Sequence, residues 1–137
     1  MAVNTRTEYA LRALLEIADS PTEAVSAQKI CDKQDLPKKY IERLLGNLKN
    51  AGLIISSAGS RGGYSLALPA GEISLMQVLA AVQDDSLDPT CNSASTRFCP
   101  KGNCPLSSFF SQLGGEVQKL LSTHTLESIY DTWKGEK

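Results

Sequence analysis

Leu36-Pro37-Lys38-Lys39-Tyr40-Ile41-Glu42-Arg43-Leu44-Leu45-Gly46-Asn47-Leu48 is the stretch that decides the fold. Ile41, Leu44, Leu45 and Leu48 recur at helical spacing and form one apolar stripe. The opposite face shows Lys38, Lys39, Glu42, Arg43, Asn47 and Lys49. Pro37 suits the first turn, and Ala51-Gly52 stops the helix with Gly52 as a left-handed cap. Upstream, a short helix is predicted from about Ser26, its N-cap, to Lys33. Asp35-Leu36-Pro37 makes a tight break between the two helices. Downstream, Leu53-Ile54-Ile55-Ser56 reads as a strand, and Tyr64, Leu66 and Leu68 alternate as a second. The turn between them, Ser57 to Gly63, is rich in glycine and carries one arginine, Arg61.

Helix, short helix, tight turn, helix, hairpin is the order of a winged helix-turn-helix, which predicts a mainly α fold with a two-stranded wing. The third helix would fill a major groove, where Lys38, Lys39, Tyr40, Glu42, Arg43 and Asn47 reach base edges or phosphates. A glycine-rich wing tip, Gly62 included, lets backbone approach the sugar-phosphate, and Arg61 is long enough for a minor groove. The alternative for each charge is a solvated helix face.

The outer segments complete the frame. A first helix is predicted from near Thr5 to Ala18, with Leu11, Leu14, Leu15 and Ala18 as its stripe. Thr5 and Glu8 fit a capping box. Ser74 caps a fourth helix that buries Leu75, Val78, Leu79 and Val82. Residues 84–103 look irregular, and an ordered loop of that length normally has a ligand or a task. Cys104-Pro105 is expected to open a long helix in which Leu106, Phe110, Leu113, Val117 and Leu120 keep heptad spacing. Gly114-Gly115 weakens it, by roughly 1 kcal/mol for each glycine. A short final helix holds Leu126, Ile129 and Trp133. The expected division is 1–70 for DNA binding, 71–104 for the fourth helix and cysteine-bearing loop, and 105–137 for dimerisation.

Composition sets the outer limits. The chain has 137 residues, enough for one domain with an appended dimerisation element. No apolar run approaches the roughly 18 residues of a membrane span, and charges interrupt the N-terminal apolar pattern, so neither a membrane partner nor a signal peptide is expected. A cytoplasmic location follows as the expectation. The net charge of -1 argues against a wholly basic nucleic-acid coat. The charge is uneven, however: residues 1–68 hold nine Lys/Arg against seven Asp/Glu, and residues 69–137 hold five against eight. A polyanion would meet the first half. No G-x-S-x-G, P-loop or H-E-x-x-H is present, and the single histidine, His124, makes no evident Cys–His pair, so no enzyme is expected.

Four cysteines remain. Cys31, in the second helix, reads as a small buried hydrophobe. Cys91, Cys99 and Cys104 fall within fourteen residues, and three thiolates in one loop are soft ligands for an iron–sulfur cluster or for zinc. Their spacing is not the C-x2-C pair of zinc ribbons. Three free thiols without a ligand is the plainer alternative. His124 reads as a helix-end or interface residue, and Trp133 as packing for the last helix.

Tyr9-Ala10-Leu11-Arg12-Ala13-Leu14-Leu15-Glu16, the stretch Leu36 to Leu48, and Gly59-Ser60-Arg61-Gly62-Gly63-Tyr64 resemble the IscR/NsrR/RirA family of bacterial transcription regulators. The resemblance runs from about residue 1 to about residue 133. It implies a homodimeric winged-helix repressor or activator whose operator affinity is set by an iron–sulfur cluster, two-iron or four-iron. It also implies that the long helix after Pro105 is the dimer helix. The second gap of the cysteine set is one residue shorter than the family's commoner spacing. In nitric-oxide-sensing and redox-sensing relatives a carboxylate near the N-terminus ligates the partner subunit's cluster, and Glu8 stands at the matching position. Its capping-box role is the competing assignment. Two further functions stay open: a cluster-free regulator of the same fold under a protein or small-molecule partner, and an electron-transfer module without affinity for DNA.

Overall fold

The computed structural model describes residues 3–89 and 104–136. Among the described residues six α-helices and one hairpin follow in order: α1 (Thr5–Ala18), α2 (Ala27–Gln34), α3 (Lys38–Asn50), β1 (Ile54–Ser57), β2 (Gly63–Leu66), α4 (Leu75–Ala81), α5 (Ser107–Thr123) and α6 (Leu126–Gly135). A short 3-10 turn, Ala70–Glu72, links the hairpin to α4. The winged helix-turn-helix order is present as expected.

α1 is the central helix. α2, α3, β2, α4 and α6 all pack against it. Being covered on several sides, it buries Ala10, Ala13, Leu14 and Ile17, and with them Thr7 and Glu16. The expected stripe of Leu11, Leu14, Leu15 and Ala18 is therefore rotated: Leu11, Leu15 and Ala18 are half-buried flanks. The alanines let neighbouring helices approach closely. The capping box also differs. Asn4, not Thr5, caps α1, its side chain accepting from the Thr7 N–H. Glu8 thus lies within the first turn and has no capping role.

Ser26 caps α2 as expected, accepting from the Lys29 N–H. The break before α3 is set by Asp35, whose φ of 53° is left-handed. α3 buries Ile41, Leu44, Leu45 and Leu48, the stripe read from the sequence. Gly52 takes the left-handed conformation at its end, φ 80°. β1 and β2 pair antiparallel, Ile54 opposite Leu66 and Ser57 opposite Gly63, and β1 starts one residue later than expected. Val25 bridges to Tyr64, so the hairpin is anchored on the segment between α1 and α2. A Cβ at Gly63 would lie 2.5 Å from the Val25 carbonyl, so no side chain fits there.

One core unites both halves. Ile73, Val78, Val82 and Leu126 join the cluster built from α1, α2, α3 and β1. Ser74 caps α4 with a full capping box. α5 starts at Ser107, later than expected, because the Cys104 carbonyl accepts from the Ser107 N–H and leaves Pro105 and Leu106 in a turn. Gly114 and Leu121 are its buried residues. Gly114 lines a small cavity of about 80 Å³ together with Met76 and Leu79 of α4.

Candidate nucleic-acid interface and cysteine site

The face of α3 opposite the core is open. Lys38, Lys39, Glu42 and Arg43 are exposed, and Asn47 is half-buried. Tyr40 differs from them: its ring meets Tyr9 edge-on at 5.6 Å, packed against the core. Only its outer edge remains for a partner. The wing tip presents Arg61, exposed, beside half-buried Gly62. A Cβ at Gly62 would come within 2.5 Å of the Ser57 carbonyl, so the tight turn itself requires glycine.

The structure adds a residue the sequence did not single out. An open groove of about 790 Å³ runs between the wing tip and the start of α2, lined by Thr22, Ser26, Lys29, Ser60 and Arg61. Lys29 and Arg61 are its two cations, and Glu23 also lines it. The signal available was the basic residue in the first turn of α2. Helical periodicity alone does not tie that residue to a wing that comes two elements later in the chain.

The Rrf2 family model, described as an iron-dependent transcriptional regulator, matches residues 3–132. The chain belongs to the Rrf2 family. A Neisseria meningitidis protein named as a putative HTH-type transcriptional regulator, NMA1593, is 35% identical over 134 residues, covering 96% of this chain and 88% of its own. The IscR regulator of Vibrio cholerae is 33% identical, covering 94% of this chain and 75% of its own. Among solved structures, CymR, the global cysteine regulator of B. subtilis, superposes with a TM-score of 0.75 at 22% identity, covering 94% and 95% of the two chains. IscR of T. potens superposes with a TM-score of 0.71 at 23% identity, covering 98% and 88%. These relatives are transcription regulators, not enzymes. The Rrf2 assignment bears out the family resemblance and the winged-helix fold.

Of the cysteine set, Cys91 and Cys99 lie outside the described residues. Cys104 is a free, half-buried thiol just ahead of α5. A thiolate is a soft donor of the kind that iron in a cluster takes. Among the described residues no three His, Cys, Asp or Glu side chains gather into a metal site. Glu8 is held elsewhere: Arg12 Nη2 donates to its carboxylate at 3.1 Å and Arg12 Nε at 3.4 Å. Arg12 Nη1 reaches Gln34 Oε1 at 3.3 Å, and Gln34 Nε2 donates to buried Glu16 at 2.6 Å. Glu8 is thus linked through Arg12 to the last residue of α2, next to the helix-turn-helix break. Cys31 is buried, as expected, and burial followed by the nearby Asp32 charge pushes its thiol above the ordinary value.

The heptad stripe of α5 divides. Phe110, Leu113 and Val117 are less open, while Leu106 and Leu120 are 57% and 58% exposed. Phe109, which the heptad omitted, is 61% exposed and extends the open apolar edge. His124 caps the C-terminus of α5 and is exposed. No helix of the described residues is long and apolar enough to cross a membrane.

Proposed function

We propose that this Rrf2 protein is a homodimeric, sequence-specific DNA-binding regulator whose operator affinity is set by an iron–sulfur cluster. The carrying observation is the α3 face: Lys38, Lys39, Glu42 and Arg43 stand exposed opposite a fully buried stripe, beside a wing that ends in Arg61. Lys38, Lys39 and Arg43 supply phosphate or guanine contacts, and Glu42 and Asn47 discriminate bases by accepting or donating in the major groove. Arg61 enters the neighbouring minor groove, and Gly62 lets the wing backbone lie against it. Residues 1–70 carry this task.

Residues 105–137 pair the protomers. Leu106, Phe110, Leu113, Val117 and Leu120, with Phe109, offer an apolar edge on α5 that a second copy covers. Among the described residues four large hydrophobics are more than half exposed, and three of them stand on this edge, which supports that reading.

Residues 71–104 carry the sensor. Cys91, Cys99 and Cys104 hold the cluster, with the partner subunit's Glu8 as a further ligand. A bound cluster supplies a redox-sensitive and nitric-oxide-sensitive centre whose state differs between conditions. Glu8 serves either Arg12 or the cluster. When Glu8 leaves Arg12, the Arg12–Gln34 contact at the end of α2 loses its anchor, and the position of α3 relative to its twin shifts with it.

The test is an anaerobic preparation examined by visible absorption and by iron and sulfide content, for the wild type and for Cys99→Ala and Cys104→Ala. Chromophore in the wild type that is lost in both variants is expected. A colourless wild type after reconstitution leaves a cluster-free winged-helix regulator.

A further inference from the structure

α1 is tied to the second half of the chain at both ends by directional polar bonds. At its start, the Asp84 carboxylate accepts from the Asn4 N–H at 3.1 Å and from the buried Thr7 hydroxyl. Arg6 donates from Nε to the Val82 carbonyl at 2.9 Å and from Nη2 to the Gln83 carbonyl at 3.0 Å. Gln83 is held at φ 57°, a conformation non-glycine residues adopt at a cost. At the other end Asp19 accepts from the Tyr130 hydroxyl at 2.8 Å and pairs with Lys134 at 2.7 Å. Between these clasps the two halves meet through Ile73, Val78, Val82 and Leu126 in the shared core. Apolar contact is non-directional and sets proximity. The hydrogen bonds set angle.

We propose that the two clasps fix the half-site spacing the dimer accepts on DNA, with Arg6, Thr7, Asp84, Asp19, Tyr130 and Lys134 as positioning residues for recognition. The proposal rests on the dimeric DNA-binding reading above. α3 packs on α1, and α5 carries the edge that pairs the protomers. A tilt of α1 against α5 therefore changes the distance between the two α3 helices. Tilting a helix of about 21 Å by about 10° moves its far end by roughly 4 Å. One base-pair step is about 3.4 Å. With both clasps closed, one spacing fits; with both open, several do.

The probe is a two-half-site duplex that the wild type selects from a random-sequence pool, remade with one or two base pairs added to or removed from its spacer. The first variant, Arg6→Gln/Lys134→Met, loosens both clasps by removing the cation of each, and keeps the Asp84 and Tyr130 hydrogen bonds. The second is Asp84→Asn/Asp19→Asn. Wild type is expected to lose about tenfold or more in affinity when the spacer changes by one base pair, and the variants no more than about threefold. Affinity for a duplex with a single half-site should stay within about twofold of wild type. Folded variants that discriminate spacing as wild type does overturn the proposal. So does an equal loss on every duplex, the single half-site included, because that marks a general structural role. If the wild type selects no duplex with two half-sites, the DNA-binding reading falls first and the proposal with it.

Discussion

Glu8 and Asp84 are carboxylates with opposite situations. Glu8 meets one exposed arginine, and an exposed i,i+4 pair of this kind contributes at most about 0.5 kcal/mol. Glu8→Gln should therefore leave the unfolding free energy of the cluster-free protein within about 0.5 kcal/mol of wild type. The same change should speed loss of the visible chromophore in air. Unchanged chromophore lifetime would remove Glu8 from the ligand set. Asp84 is buried, which raises its pKa, but hydrogen bonds from Ser86, Thr7 and Asn4 outweigh burial and hold it below the ordinary carboxylate value. A depressed folded value means the stabilisation is complete above the unfolded pKa and is lost as pH falls through the folded one. Urea midpoints of wild type and Asp84→Asn should thus differ by a constant amount above the ordinary carboxylate range and draw together as pH falls through and below it. A gap that persists into acid would show that the carboxylate charge is not what the clasp uses. Cys31 belongs to the same scale. Its buried, raised thiol should resist alkylation in the native cluster-free protein while Cys104 reacts, as peptide mass mapping would show. The role of Cys31 was legible because a lone cysteine on an apolar helix face has few other uses. Asp84 was not legible, since its partners at the start of α1, Thr7 and Asn4, lie 77 and 80 residues away.

Among the elements, α3 was the most legible. Its stripe, its polar face and its glycine stop all follow from one helical period facing one core. α1 was less so, because a helix covered by five neighbours has no single apolar face, and small alanines count for more than its leucines. α5 was read only in part. A heptad cannot separate the side chains that meet α4 from those that face outward, and Phe109 falls between its positions. Glycines give two contrasting tests. Gly46 lies in α3, and a Cβ there would meet nothing within 4 Å, so Gly46→Ala should raise stability by about 0.5–1 kcal/mol. Gly63 sits at φ 155° against the Val25 backbone, so Gly63→Ala should cost more than that and loosen the wing. Thermal melts of both variants read the two signs directly, and a destabilised Gly46→Ala would mean that the outer face of α3 is packed rather than open.

The whole molecule is a winged-helix half and a half carrying α4, α5 and α6, joined through one core and two clasps. If the α5 edge pairs protomers, Phe109→Asp/Leu120→Asp should shift sedimentation from dimer to monomer while helical circular dichroism is kept, because both side chains are already exposed. A dimer that survives would place the interface elsewhere. The proposed dimerisation and cluster binding rest in the sequence on a pattern alone, an apolar heptad and three clustered cysteines. The most direct test of a cluster-set operator affinity titrates one selected duplex with the anaerobic, cluster-loaded protein and with the same protein after cluster removal, at one salt concentration. Dissociation constants that differ by about tenfold or more are expected. Equal constants for the two forms would contradict it, whatever colour the protein shows.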